Sequence, residues 1–370
     1  MRDLAPPLQQ TGRTHVLFKG RKLSYFAGCD YFRLSSHPAV LAAVEQGTRL
    51  YGLNTSASRK TTGNHELYHR LEKAIAKFFG AEAAVLLSTG YVTNMAVTQA
   101  FDGKFTHAIY DIQSHVCLWD ARPFLHAGLW PFKHRNVADL RRRIDACGPR
   151  ARILLMTDGL FASGGAIAPL REYLEVLPRD AWLLVDDAHG GGVLGRTGKG
   201  TLEFEGVRRD RIVQTVTLSK AFGVYGGAVV GSHAVCEAVM DKSRVFVGNT
   251  PLPLPLANAA LTAIDILAKD KSLRQRLVAN TAQVKSALRQ SGWLMPDNPS
   301  PIVSILPRSR ESTAVLKRAL LKAGIYPSYI HYPGGPALGH FRFIISSEHT
   351  PAQLDALITT LVAHWQKQER

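Results

Sequence analysis

Short apolar runs alternate with longer amphipathic ones through the middle of this chain. AAVLLS (83–88), HAIYD (107–111), RILLMTD (152–158), WLLVDD (182–187), RIVQTVTLS (211–219) and GAVVGS (227–232) read as strands. Between them, VADLRRRIDAC (137–147) and REYLEVLP (171–178) carry apolar residues at helical spacing. Near-continuous β-branched runs separated by helices predict a mostly parallel sheet covered on both faces. HELYHRLEKAIAKFF (65–79) is a flanking helix, and the proline-free run at 257–290 reads as one long helix linking two domains.

Beyond residue 290 the texture changes. PIVSILPR (301–308), GIYPSYI (324–330) and HFRFIIS (340–346) are strand-like and surround a helix at 311–323. A last helix, 351–366, follows. The expected organisation is a large α/β domain over 45–264 and a smaller α+β domain over 265–370. Residues 1–44 are expected to join the smaller one. No internal repeat and no low-complexity tract interrupts the pattern.

Composition narrows the class. A chain of 370 residues with 46% hydrophobic and 20% charged residues can bury a sizeable core. It has no run of the roughly 18 apolar residues that spans a membrane, and MRDLAPPLQQTGRTH lacks the apolar centre of a signal peptide. Cys29, Cys117, Cys147 and Cys236 form no CxxC pair, which suggests free thiols and a cytoplasmic protein. The net charge of +16 suits nucleic acid, an anionic surface or a polyanionic small molecule. Its densest cluster, RRRID (141–145), has no interleaved aromatics, so nucleic acid is disfavoured. A phosphate-rich cofactor, a phosphate-rich substrate or an acidic carrier protein accounts for the charge equally well.

Chemistry concentrates where predicted strands end, which is where open α/β sheets bind ligands. STGYVTN (88–94) follows the first strand, and Asp111 and His115 follow the second. Asp158 and Gly159 follow the third. The fourth ends in VDDAHGGG, offering Asp186, Asp187 and His189, and the fifth ends at Lys220. Singly, each has a plain reading. Asp186 could cap the next element, His189 could be a satisfied core histidine, and Lys220 could reach over the strand end to solvent. Together they converge on one edge of one sheet. A lysine there can bond a carbonyl cofactor covalently. A carboxylate can keep a pyridine nitrogen protonated. Backbone N–H groups at a helix start can hold a phosphate. Pyridoxal phosphate (PLP) calls for all three.

At this point the chain resembles the α-oxoamine synthases, a family of fold-type I pyridoxal-phosphate enzymes. The motifs are DYFRLSSHP (30–38), SASRKTTGNH (56–65), STGYVTN (88–94), DIQSH (111–115), DGLFASGGAIAPL (158–170), VDDAHGGGVLG (185–195), TLSKAFG (217–223) and FRFIISSEHT (341–350). They run from about residue 28 to the C-terminus.

The resemblance implies a role for each matching residue. Lys220 is the Schiff-base lysine and the base for the amino acid's α-proton. Asp186 faces the ring nitrogen, His189 the phenolic oxygen, and His115 stacks on the ring. Thr217 and the backbone N–H groups of Gly90 and Tyr91 hold the phosphate. Arg342 clamps the amino-acid carboxylate with its bidentate fork. Thr250, in GNTPLPLP (248–255), reaches the phosphate of a partner subunit, which implies a homodimer with shared sites. The implied reaction condenses an amino acid with an acyl thioester, on CoA or on a carrier protein, and loses the carboxylate.

Several positions depart from the family's usual pattern. Ala162 stands for a serine that touches the phenolic oxygen, and Gly164 and Ala166 stand for aspartates. Asp30 and Arg33 stand where asparagine and glycine are usual. Tyr68 replaces a histidine, Asp187 a glutamate, and Glu348 a small residue. These leave the amino acid and the acyl chain open. The other readings are a non-catalytic partner chain that only binds cofactor and a nucleic-acid-binding protein using the basic surface.

Overall fold

The computed structural model describes residues 5–331 and 336–369. They form two compact units. One comprises residues 38–162 and 166–271; the other comprises residues up to 37, residues 163–165 and residues from 272 onward.

The larger unit is built on a seven-stranded sheet. Its spatial order is Ala83–Leu87, Gly227–Gly231, Ile212–Thr217, Trp182–Asp186, Ile153–Asp158, His107–Asp111 and Gly128–Phe132. Gly227–Gly231 runs antiparallel to both neighbours, and the remaining pairs are parallel. The parallel strands are apolar at consecutive positions because both faces are covered. Leu154 and Met156 pack on one side, with Val97 and Val235 from the helices Thr93–Ala100 and His233–Lys242. Ile153 and Leu155 pack on the other, with Leu140, Ile144 and Tyr173 from the helices Val137–Cys147 and Leu170–Val176. Truncating such a fully buried leucine to alanine costs about 2–5 kcal/mol.

Four elements depart from the sequence expectation. Gly128–Phe132 is a strand that pairs in parallel with His107–Asp111 at the sheet edge. Its Pro131 cannot donate to a ladder, which only an edge position tolerates. Pro38–Tyr51 is a helix packed on Leu254–Lys269. Gly47 lets these two approach closely, since a Cβ there would lie 2.9 Å from the Pro255 Cα. The long run at 257–290 is two helices, Leu254–Lys269 and Lys271–Gln290, rather than one. Asp270 breaks them with ψ near 88°; aspartate competes for backbone donors and is poorly suited to a helix interior. The N-terminal strands Gln9–Thr11, His15–Phe18 and Arg21–Ser24 form an antiparallel meander.

In the smaller unit, His340–Ile344 lies between Ile302–Ile305 and Tyr329–Ile330 in an antiparallel sheet. Phe341 and Phe343 point into a core with Val284, Leu316 and Leu357 from the helices Lys271–Gln290, Arg310–Lys322 and Pro351–Glu369. Among the described residues no helix is long and apolar enough to cross a membrane.

Candidate active site

The strand ends of the larger unit surround a cavity of about 310 Å³. Gly90, His115, Asp186, His189, Thr217 and Lys220 all line it. The sequence is continuous nowhere among them; the parallel sheet brings their strand ends side by side.

Lys220 follows directly on the Ile212–Thr217 strand and its short turn. Its Nζ lies 2.9 Å from His189 Nε2. His189 is 8% exposed and comes from the turn after Trp182–Asp186. Asp186 ends that strand and is 5% exposed. Its Oδ1 accepts from the Ala188 N–H at 3.0 Å. Its Oδ2 accepts from Asn94 Nδ2 at 2.6 Å and from the Cys117 thiol at 3.1 Å. Three donors thus replace the water that burial removes.

A second carboxylate lies beside it. Asp158 pairs in register with Asp186 across adjacent strands. It accepts the His115 N–H at 3.1 Å. Burial, and then the charge of Asp186, push its carboxyl well above the usual range. Two buried carboxylates side by side disfavour a second charge, so the proton belongs on Asp158.

His115 caps the helix Val116–Ala121, its Nδ1 accepting from the Cys117 N–H at 3.3 Å. The ring meets Tyr91 edge-on, with centroids 6.4 Å apart. The Tyr91 hydroxyl donates to Asp120, and that bond raises the phenol to about 12. The Tyr91 N–H already serves the Thr89 hydroxyl at 3.0 Å. Gly90 passes close over Thr217: a Cβ on Gly90 would sit 2.6 Å from the Thr217 Cβ and 2.7 Å from its Oγ1. The Thr217 hydroxyl donates to the Gly226 carbonyl at 3.1 Å and accepts from the Ser219 N–H at 3.2 Å.

Neither Thr250 nor Arg342 is among the residues that line this cavity. Thr250, which the resemblance assigns to the phosphate of a partner subunit, lines a separate small pocket with Arg59, Ser88 and Asn249. Arg342 belongs to the smaller unit, in the strand His340–Ile344, where its N–H donates to the Ser328 carbonyl at 2.9 Å. Conversely, the sequence placed Asp158 at a strand end without giving it a role and left Cys117, Ser219 and Tyr225 out of the site, and all four line the cavity. Asn94 lay in the STGYVTN motif, but only the fold shows which carboxylate it serves.

The atypical residues have structural partners. Asp30 caps the Leu34 and Ser35 N–H groups at 2.9 Å each. Arg33 adopts φ 52°, the left-handed region a glycine would occupy without strain. Its guanidinium donates to the Tyr25 carbonyl at 2.9 Å. Asp187 points away from the cavity and accepts from Thr201 and Gln214. Glu348 pairs with Arg13 and Arg276. The Tyr68 hydroxyl donates to the Leu252 carbonyl at 2.7 Å.

The cavity fits a phosphorylated pyridine aldehyde. It holds one amine, an imidazole beside that amine, a buried carboxylate with its donors in place, and a glycine whose missing side chain keeps backbone open next to a threonine. Comparison with known proteins agrees. The aminotransferase class I and II family matches residues 28–361. The 8-amino-7-oxononanoate synthase of Thioalkalivibrio sulfidiphilus (strain HL-EbGR7) is 35% identical over 349 residues, covering 92% of this chain and 88% of that protein. A serine palmitoyltransferase variant from S. paucimobilis, solved with bound PLP and myriocin, superposes with a TM-score of 0.90 at 29% identity, over 97% of this chain and 91% of that one. An 8-amino-7-oxononanoate synthase from Francisella tularensis gives 0.81 at 25% identity, over 94% and 98%.

Proposed function

This chain is a member of the α-oxoamine synthases, pyridoxal-phosphate enzymes of the class I and II aminotransferase fold, and from that membership we propose that it joins a small L-amino acid to an acyl thioester with loss of carbon dioxide. The observation that carries the reading is the amine of Lys220, 2.9 Å from His189 Nε2, on a cavity that also holds Asp186.

When bound, the cofactor supplies an electron sink for charge developing at the amino acid's α-carbon. Lys220 Nζ would hold its carbonyl carbon, Asp186 its ring nitrogen and His189 its phenolic oxygen. His115 would lie against the ring, and Gly90 and Thr217 would hold the phosphate. To serve a phosphate, the Thr217 hydroxyl must turn its proton away from Gly226. Lys220, once displaced by the substrate amine, is the base for the α-proton. His189 Nε2 is close enough to share that proton. Ala162 offers no hydroxyl, which leaves His189 as the donor on the phenolic side. Arg342 is assigned the amino acid's carboxylate, since its planar fork suits two oxygens. Thr250 is assigned a role across a homodimer, toward the phosphate of a second copy.

The substrate pair proposed is L-alanine with a pimeloyl thioester, giving 8-amino-7-oxononanoate. The 35% identity to a synthase of that name supports it. The likeness to serine palmitoyltransferase supports L-serine with a long acyl chain as the second reading. The charge of +16 suits either acidic carrier, CoA or carrier protein. The test is free-thiol release by the cofactor-loaded protein, with product mass. L-alanine with pimeloyl-CoA should release free CoA and carbon dioxide and give an amino ketone whose mass is that of the two substrates less both. Faster turnover with L-serine and palmitoyl-CoA would favour the second reading. No release with these pairs, or with glycine and acetyl-CoA, would overturn both.

A further inference from the structure

Asp186 is held by side chains that no step above uses. Asn94 is fully buried, and its Nδ2 donates to Asp186 Oδ2 at 2.6 Å. A carboxylate can only accept, so the Nδ2 end of the amide must face it, while the Oδ1 end accepts from the Thr215 hydroxyl at 2.8 Å. Thr215 sits on the Ile212–Thr217 strand, next to the strand that ends in Asp186. The order Thr215 to Asn94 to Asp186 therefore fixes which end of the amide faces the carboxylate.

Cys117 completes the arrangement. Its thiol is 4% exposed and donates to the same Oδ2 at 3.1 Å. Its Sγ accepts from Asn94 Nδ2 at 3.4 Å and lies 2.9 Å from His115 Nδ1. One thiol thus touches two groups assigned to the cofactor ring, one at its nitrogen and one at its face. Burial and the Asp186 charge push this thiol far up, so it stays protonated and serves as a donor rather than a nucleophile.

We infer that Asn94 and Cys117 are positioning residues that hold Asp186 Oδ2 and so aim its carboxylate at the cofactor's ring nitrogen and, through Cys117, register His115 against the same ring. The inference rests on the reading that Asp186 faces that nitrogen. Without the two donors the carboxylate keeps only the Ala188 N–H on Oδ1, and its Oδ2 is no longer held against turning toward Asp158, the neighbour across the strand pair.

The test is cofactor affinity, measured by titrating dialysed protein with pyridoxal phosphate, together with the pH midpoint of the bound cofactor's visible absorption. Cys117→Ala should weaken affinity about tenfold, the loss expected for one hydrogen bond to a charged acceptor. It should also move the midpoint. Cys117→Ser keeps a donor at that position and should restore both. Asn94→Ala, which removes the shorter bond, should weaken affinity by about a hundredfold. Melting of the cofactor-free proteins separates positioning from folding; if Asn94→Ala does not fold, the alanine and serine variants at Cys117 decide. Wild-type affinity and midpoint in Cys117→Ala would overturn the inference, as would a Cys117→Ser that behaves like Cys117→Ala. A wild-type protein that takes up no cofactor would instead overturn the site reading beneath it.

Discussion

Lys220 and Lys285 are both drawn out of open solvent, one in each unit, and they do opposite things. Lys285 is 2% exposed, inside the core of the smaller unit. Its Nζ donates to the Asn298 carbonyl at 3.0 Å and to Asn298 Oδ1 at 2.8 Å. Asn298 in turn donates to the Gly165 carbonyl at 3.0 Å, so the amine ties the short segment 163–165 to its unit. Every partner is an acceptor that suits an ammonium. Lys220 instead faces a cavity, and its neighbour is an imidazole that can take or give a proton. Burial alone therefore does not mark a reactive lysine. Open space and a partner able to exchange a proton do.

The sharpest way to break this contrast is to remove each amine. Lys220→Ala should lower turnover by roughly a thousandfold or more, since both the covalent hold and the base are lost. Thiol-release kinetics check this, and activity within tenfold of wild type would erase the distinction. Gly90→Ala forces a Cβ onto Thr217 at 2.6 Å. Overpacking of that kind costs about 1–3 kcal/mol, which should weaken cofactor binding about ten- to a hundredfold by equilibrium titration.

On the other side, Lys285→Met should leave kcat within about twofold. It should cost about 1–3 kcal/mol in urea unfolding, because it strands the two acceptors of Asn298. A smaller effect is in its pH dependence. Burial pulls Lys285 down to about 8, whereas an unfolded lysine titrates near 10.4. Between these values the unfolded chain holds the proton that the native state has lost, so native stability rises with pH there. Wild type should gain about 1–3 kcal/mol on Lys285→Met from pH 8 to 10, read from paired urea titrations. A difference that stays flat or shrinks would mean the native amine keeps its proton.

The contrast also shows what a sequence can disclose. Lys220, Asp186 and His189 were legible because strand-end chemistry has a local signature: an apolar run, then an ionisable residue, then glycines. Lys285 had none, since AQVKSALRQ reads as an ordinary amphipathic turn of helix. Asp186 and Asp187 are neighbours in one motif, yet one lines the cavity and the other is consumed by Thr201 and Gln214. Strand alternation predicts opposite faces but not which face is open. Asn94, Cys117 and Asp158 could be assigned only once three strand ends and a helix were in register. The Gly128–Phe132 strand stayed hidden behind Pro131, and the helix break at Asp270 behind a run with no proline or glycine.

The central claim is that Lys220 is the residue that holds pyridoxal phosphate. Loading the protein with the cofactor, reducing with borohydride, digesting and weighing the peptides tests it directly. The account predicts one stoichiometric pyridoxyl-phosphate adduct on the peptide bearing Lys220, with Lys285 unmodified. An adduct on any other lysine, or none on a protein that binds the cofactor, would contradict it.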